Sequence, residues 1–317
     1  MLFRHDPPGQ PTLPLGARSR SVLRRGLFTG LVTVALAGSS VAANEMEALE
    51  SQTNGDELNV ICQRIGNKLG SVSFDECMDV GLELSGARAV SGTPIVVKEY
   101  LPLADREARG RVLLVGGIHG DEYSSVSVVF KWMKILNQFH SGLFHWRISP
   151  LMNPDGLLRQ RSQRMNENGV DLNRNFPSPN WLEETRDYWI RRTSSNPRRF
   201  PGDAPLSEPE SRWLVDEIES FKPEVIVSVH APHGVLDFDG PPEAPKRFGS
   251  LNLNLLGTYP GSLGRYAGVH RELPVVTIEL ESAGSMPSVS EQRKIWLDLV
   301  RWLKTRLPVE PATQTAR

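Results

Sequence analysis

The sequence predicts one α/β domain, a mostly parallel mixed sheet flanked by helices on both faces. Three observations predict it. Four short runs rich in β-branched residues, "RVLLVGG", "WRISPLMNPDG", "EVIVSVHAPHG" and "LPVVTIELES", are bounded by Gly, Pro or charge and read as strands. Segments with apolar residues at helical spacing lie between and after them. The 317 residues, 39% of them hydrophobic, are enough for a full core, and one domain of about 200 to 250 residues with extensions fits better than two.

The chain begins with a different pattern. In "RSRSVLRRGLFTGLVTVALAGSSVAANE", arginines precede an apolar run from Leu27 to about Ala37, and small residues follow at Ser40, Ala42 and Ala43. This reads as a secretory signal peptide over residues 1–43, cleaved near Ala42 or Ala43. A retained anchor is the other reading, but the run is shorter than the roughly 20 residues that span a bilayer, so no stable membrane anchor is expected after processing. Arg24 and Arg25 before "GLF" point to twin-arginine export as a route. Processing removes five basic residues and one acidic residue, leaving 31 against 36 and a net charge of −5. That balance excludes the electrostatic footprint of a nucleic-acid-binding protein.

Residues 44–94 read as an N-terminal helical segment. Val60, Ile61, Ile65 and Leu69 predict a short amphipathic helix over 57–69, and strand-like alternation follows in "SGARAVSGTPIVVKEYLP". Cys62 and Cys77 are the only cysteines; in an exported chain a disulfide is the favoured reading and two buried thiols the alternative. The α/β domain spans 95–307 and a tail covers 308–317.

Within that domain, Val126, Val129, Phe130, Met133 and Leu136 mark one face of a helix after "RVLLVGG". Ser207 with Glu210, and Ser288 with Glu291, predict capping boxes that open two further helices. The first carries Leu214, Ile218 and Phe221; the second carries Ile295, Leu299, Trp302 and Leu303. From Pro154 to Pro205 there is little periodicity and much Arg, Asn, Ser and Pro, which predicts a long functional loop.

In an open α/β sheet, ligands gather at the carboxyl ends of the strands. His119 and Glu122 in "GGIHGDEYSS" follow one strand, His230 closes another, and Glu279 lies near the end of a fourth. A His and a Glu three residues apart share one side of a helical turn and reach one ion together, although that spacing alone also arises as two surface polar residues. A third ligand from another strand completes two nitrogens and one carboxylate with a position open for water, the composition of a catalytic zinc site. His230 is the natural third ligand and His233 the alternative. Glu279 reads as a general base for water, or as a buried carboxylate paired with a helix dipole or an arginine. In "QRMNENGVDLNRNFP", Arg164, Asn173 and Arg174 suit carboxylate recognition, and Asp171 suits support of a ligating histidine. Most arginines from Arg186 to Arg199 read as a solvated face.

Taken in order across residues 95–305, "HGDE", "NPDG", "RMN", "GVDLNRNFP", "SVH", "PGSLG" and "TIEL" resemble the zinc carboxypeptidase family. Within it the likeness is greatest to the murein peptide amidase A branch, which hydrolyses the γ-D-glutamyl to meso-diaminopimelate bond of cell-wall peptides; "HGDE", "NENGVDLNRNFP" and "SEPE" carry that likeness. The resemblance implies one Zn2+ per chain, held by His119, Glu122 and His230, with Glu279 as the base. It implies that Arg164 stabilises the oxyanion, that Asn173 and Arg174 hold the terminal carboxylate, and that Asp171 orients His119. Tyr259 takes the place of the tyrosine that closes over substrate, and Leu263, without charge, that of the specificity pocket. Asp121 stands where digestive members have an arginine and is expected to meet an amino group of diaminopimelate. The expected function is a periplasmic or secreted zinc peptidase acting on peptidoglycan peptides with a free carboxylate. A deacylase of small N-acyl amino acids and a wall-binding protein with a dead site are the alternatives.

Overall fold

The computed structural model of the chain describes residues 34–104 and 107–307, with backbone alone for 34–50. The signal peptide expected over 1–43 lies outside the described residues as far as residue 33, and so does the whole tail 308–317. The chain divides into two units, Met1–Glu50 and Ser51–Arg317. Of the first, the helical backbone from Val34 is described; the second contains the sheet and the site.

A seven-stranded mixed sheet organises the second unit, in the order β1 (Glu83–Arg88), β2 (Pro94–Tyr100), β4 (His145–Ser149), β3 (Arg111–Gly116), β5 (Val225–His230), β9 (Val275–Glu279) and β6 (Val235–Asp239). The central four, β4, β3, β5 and β9, run parallel and are the four runs expected from the sequence. Antiparallel strands finish both edges, β2 and β1 on one side and β6 on the other. Two short strands, β7 (Arg247–Phe248) and β8 (Leu251–Asn252), pair separately.

The parallel strands are apolar along their length because helices cover both faces. Val112 and Leu114 of β3 enter one core cluster, while Leu113 and Val115 enter the other. The first cluster packs under α3 (Tyr123–Phe139), α7 (Val289–Arg306) and the end of α1 (Val34–Lys68). There the Trp296 ring lies 5.6 Å from Trp132 and 5.2 Å from Trp146, centroid to centroid, which joins α7 to α3 and to β4. The second cluster packs under α6 (Pro209–Phe221), with Leu172 and Phe176. All five residues expected on the inner face of α3 are buried. Cys62 of α1 is disulfide-bonded to Cys77 of α2 (Phe74–Asp79).

Local expectations change at several points. The helix expected over 57–69 is the end of a 35-residue helix. The sequence from Val34 to Lys68 contains no proline and several alanines, so nothing halts the helix before Glu57. Residues 58, 61, 62, 65 and 69 form its inward stripe, and Val60 falls outside it at 61% exposure. The Ser207 capping box does not form. Helix α6 starts at Pro209 with Glu208 as N-cap and no side-chain cap bond; Ser207 Oγ instead donates to Glu208 and accepts from Asn175, and Glu210 is buried against Asn166. Proline at the first helical position moves the start, and tertiary partners take both polar side chains. Ser288 does cap α7, accepting from Glu291 N at 3.2 Å, but the Glu291 carboxylate accepts from Ser250 N, so half the box forms.

The stretch from Pro154 to Pro205 is not a plain loop. It contains α4 (Pro154–Leu158), the 13-residue α5 (Trp181–Thr193) and 3-10 turns at Leu172–Arg174 and Pro197–Arg199. Helix α5 buries only Trp181 and Thr185, so it has no apolar stripe to read. Its legible signal is charge: Glu183 and Glu184 in the first turn, Arg191 and Arg192 in the last, matching the helix dipole.

Glu210 makes one testable feature of this packing. Burial raises its carboxyl from 4.5 to about 7, although Asn166 and the Val90 N–H both donate to it. A folded pKa above the unfolded one means that ionisation opposes folding, so this group's contribution to stability falls as pH rises between those values and stays low above them. In urea unfolding, Glu210→Gln is expected to gain on the parent by on the order of 2 kcal/mol between pH 5 and pH 8. A difference between the two proteins that does not change with pH contradicts this account.

Candidate metal centre and active site

Strands β3 and β5 are neighbours, and the chain leaves β3 toward β4 on its other side before returning to β5. Their carboxyl ends therefore open the crevice at which such sheets bind ligands. Between β3 and α3, the turn "GGIHGDE" lies hard against "NPDG". A Cβ on Gly120 would come within 2.1 Å of the Gly156 carbonyl carbon, so two motifs far apart in sequence meet through their glycines. Asn153 fixes the second turn by accepting from Gly156 N and donating to the carbonyls of Ile118 and Arg164.

This places His119 and Glu122 at the start of α3, beside His230 at the end of β5. All three are at most 4% exposed, and their donor atoms lie within 4.8 Å of one another. Glu122 Oε1 is 2.7 Å from His119 Nδ1, Glu122 Oε2 is 3.1 Å from His230 Nδ1, and the two Nδ1 atoms are 3.2 Å apart. Asp171 Oδ1 lies 3.1 Å from His119 Nε2. A carboxylate there makes Nε2 the proton-bearing nitrogen and leaves the Nδ1 lone pair toward Glu122 and His230. Two imidazole nitrogens and a carboxylate converging beside an open cleft fit zinc, whose catalytic sites have three protein ligands and one open position. His233 is exposed and outside the group, so His230 is the residue the fold places with His119 and Glu122.

Asp171 also accepts from Arg164 Nε at 2.8 Å, and Arg164 Nη1 lies 3.5 Å from Glu122 Oε1. Burial by itself would raise the Asp171 carboxyl, but Arg164 and His119 outweigh it and hold the group well below the usual carboxylate range. Burial also lowers the Arg174 guanidinium to about 10, which still leaves it charged at neutral pH. That guanidinium sits 4.6 Å from the Tyr259 ring centroid. Asn173 Oδ1 accepts from Leu263 N at 2.8 Å, and its amide N–H groups have no partner among the described residues. Glu279 pairs in register with His230 and accepts the His233 N–H at 3.5 Å. Among the described residues no arginine or lysine pairs with it.

One cleft is lined by every site residue expected from the sequence except Asp171, which lies behind His119 and Arg164. Two of the expected residues also have partners within the protein. The Asp121 carboxylate pairs through Oδ2 with Arg198, while its Oδ1 is buried with no hydrogen-bond partner among the described residues. Leu263 is buried in the second core cluster and serves Asn173 through its backbone N–H. The cleft also holds Ser228, Asp237, Asp239, Thr277, Arg198 and Arg199, which the sequence reading did not single out. The alternation in "VLDFD" is the signal that marks Asp237 and Asp239 as neighbours on one strand face.

A mostly parallel sheet with a His-Glu-His group at its strand ends is an arrangement suited to a metal-dependent hydrolase. The chain belongs to the zinc carboxypeptidase family, whose model matches residues 25–239, more than half of its length. Murein peptide amidase A of Vibrio campbellii is 33% identical over 203 residues, 62% of this chain and 78% of that protein. Murein peptide amidase A of Escherichia coli K12 is 34% identical over 206 residues, 63% of this chain and 73% of that protein. Among solved structures, carboxypeptidase A from Helicoverpa armigera shares the fold with a TM-score of 0.54 at 18% identity, over 71% of this chain and 68% of that one. The family match contains His119, Glu122, Arg164, Asn173, Arg174 and His230 but ends before Tyr259, Leu263 and Glu279, whose assignment rests on geometry and on the motif order.

The choice between the two histidines is open to direct measurement. Metal analysis of the purified protein is expected to show His230→Ala losing its bound zinc and His233→Ala keeping it. The reverse pattern contradicts the ligand set.

Proposed function

We propose that the protein is an exported zinc peptidase that hydrolyses the γ-D-glutamyl to meso-diaminopimelate bond of peptidoglycan stem peptides. One Zn2+ per chain is held by His119, Glu122 and His230. The observation that carries this reading is the convergence of those three donors in one cleft with Glu279, Arg164, Asn173 and Arg174. The substrate class comes from the two relatives, both murein peptide amidase A. The arginine-led apolar start of the sequence supports a periplasmic or secreted location. Among the described residues, no helix is long and apolar enough to cross a membrane. In this reading residues 1–43 are the signal peptide, 44–94 an N-terminal segment of helices that also supplies the edge strand β1, 95–307 the rest of the catalytic domain and 308–317 a tail.

Zinc bound there supplies a Lewis acid for the scissile carbonyl and makes water nucleophilic near neutral pH. The Glu279 carboxylate, unpaired with any described cation, takes the proton of the attacking water and delivers it to the departing nitrogen. Arg164 is held through Nε by Asp171, and its remaining N–H groups face the negative charge that develops on the carbonyl oxygen, a contribution of about 3 kcal/mol. Asn173 and Arg174 receive the carboxylate of the residue to be released, which positions the bond before it. Tyr259, resting on Arg174, covers that end. The C–N bond breaks, leaving a new γ-carboxylate on the D-glutamyl product and free diaminopimelate.

With zinc-loaded protein and L-Ala-γ-D-Glu-meso-diaminopimelate, mass spectrometry is expected to show release of free diaminopimelate, slowed about 10²- to 10⁴-fold by Glu279→Gln. No release by the parent protein with zinc bound contradicts the assigned bond.

A further inference from the structure

Beyond Glu279, the floor of the cleft is one face of three strands. The register pairs Ser228 of β5 with Thr277 of β9, and Thr277 with Asp237 of β6; Asp239 lies opposite Val275. Residues two apart on a strand share a face, so Val275, Thr277 and Glu279 on one strand, and Asp237 and Asp239 on its neighbour, all line the cleft together with Ser228.

Among the described residues no cation pairs with the Asp237 or Asp239 carboxylate. Asp237 is 6% exposed, and its Oδ1 accepts the N–H groups of Phe238 and Leu256. Its second oxygen has no described partner. The Asp239 carboxylate has neither hydrogen bond nor ion pair among the described residues. Ser228 is 2% exposed, and its Oγ is buried with no hydrogen-bond partner among the described residues. Space for Asp239 is left by two glycines of the helical turn Gly264–His270. A Cβ on Gly264 would lie 1.9 Å from Asp239 Oδ2, and one on Gly268 would lie 2.5 Å from the Asp239 Cβ. The last glycine of "PGSLG" is thus the one that admits the carboxylate. Burial, and then the neighbouring Asp237 charge, push the Asp239 carboxyl up to about 7, the sign of a carboxylate pair without its counter-ion.

We propose that Asp237 and Asp239 form the receptor for a primary ammonium at the far end of the released residue's side chain. The proposal rests on the reading above, in which that residue occupies this cleft with its α-carboxylate on Asn173 and Arg174. For diaminopimelate the group is the ammonium on the distal carbon. Asp121 pairs through Oδ2 with Arg198, whereas no described cation pairs with Asp237 or Asp239. Leu256 and Leu263, both lining the cleft, give the methylene chain an apolar wall between the two polar ends. An ammonium at the floor donates up to three hydrogen bonds, and the free carboxylate edges of Asp237 and Asp239, two apart on one strand face, are its acceptors; Ser228 lies across β9 from Asp237, beyond Thr277. An ammonium between them also removes the repulsion between Asp237 and Asp239, so the floor favours an end group that carries an ammonium beside its carboxylate, as in diaminopimelate, over one of the same length with the carboxylate alone.

The test compares two substrates on each preparation of the zinc-loaded protein: L-Ala-γ-D-Glu-meso-diaminopimelate, and the analogue ending in L-2-aminopimelate, in which hydrogen replaces the distal ammonium. A ratio of kcat/KM values is unaffected by the fraction of protein that has folded. The parent is expected to prefer the ammonium substrate by at least about tenfold, and Asp239→Asn and Asp237→Asn to bring the ratio to near one. A parent ratio near one, or a preference that survives in Asp239→Asn, overturns the proposal. So does a preference that appears only with added calcium or magnesium, which would make the floor a metal site. If the parent cleaves neither substrate, the assigned bond fails, and calorimetry with free meso-diaminopimelate and free 2-aminopimelate still decides this point. Tighter binding of diaminopimelate by the parent, lost in Asp239→Asn, supports the receptor; equal binding of the two compounds overturns it.

Discussion

The Asp171 carboxylate, fully buried, binds two parts of the site at once: Oδ1 faces His119 Nε2 and accepts the Asn173 N–H, while Oδ2 accepts from Arg164 Nε. A charge at that depth is expensive unless it is paired and hydrogen-bonded. Arg164, His119 and the Asn173 N–H meet that requirement, and in doing so they lose their own freedom. The imidazole and the guanidinium to which the proposed mechanism gives the metal and the oxyanion are therefore set by a single acceptor. Moving Asp171 would disturb both, while leaving the sheet untouched.

Asp171 depends in turn on the packing of its loop. Its N–H donates to Phe200 O at 2.7 Å, which ties it to the turn bearing Arg198 and Arg199. Upstream, Asn166 donates to both Glu208 and Glu210 and accepts from Val170 N, so the loop is fastened to the start of α6. Asn175 does the same from the other side, donating to Pro201 O and Ser207 and accepting the Glu208 N–H. Further out, Lys68 at the end of α1 donates to the carbonyls of Arg159 and Gln160. A segment rich in polar residues is thus as ordered as a core element, and its order comes from buried amides and carboxylates rather than from apolar burial.

That difference explains what the sequence disclosed and what it concealed. Strands β3, β5 and β9 were legible because both their faces are covered, so Val112–Val115 and Val225–Val229 read as apolar runs. The inner stripe of α3 was legible for the same reason. His119, Glu122, His230 and Glu279 were legible because each follows or ends such a strand, and the ordered motifs removed the ambiguity of any one pair. Helix α5 hid because it buries little, and the Ser207 box misled because Asn175 and Asn166, distant in sequence, captured Ser207 and Glu210. The Asp121–Arg198 pair joins residues far apart in the sequence, which no local spacing reveals. Asp237 and Asp239 lay in plain alternation, but on a short edge strand that follows "HAPHG", where a turn signal masks the strand.

The central claim is that the three convergent donors hold a single zinc ion. Crystals of the zinc-loaded protein, with diffraction data collected at the zinc absorption edge, test it most directly. The account predicts one anomalous peak per chain, about 2.0 to 2.2 Å from His119 Nδ1, His230 Nδ1 and the Glu122 carboxylate. A structure with no peak among those atoms, or with its peak at His233 or between Asp237 and Asp239, contradicts it.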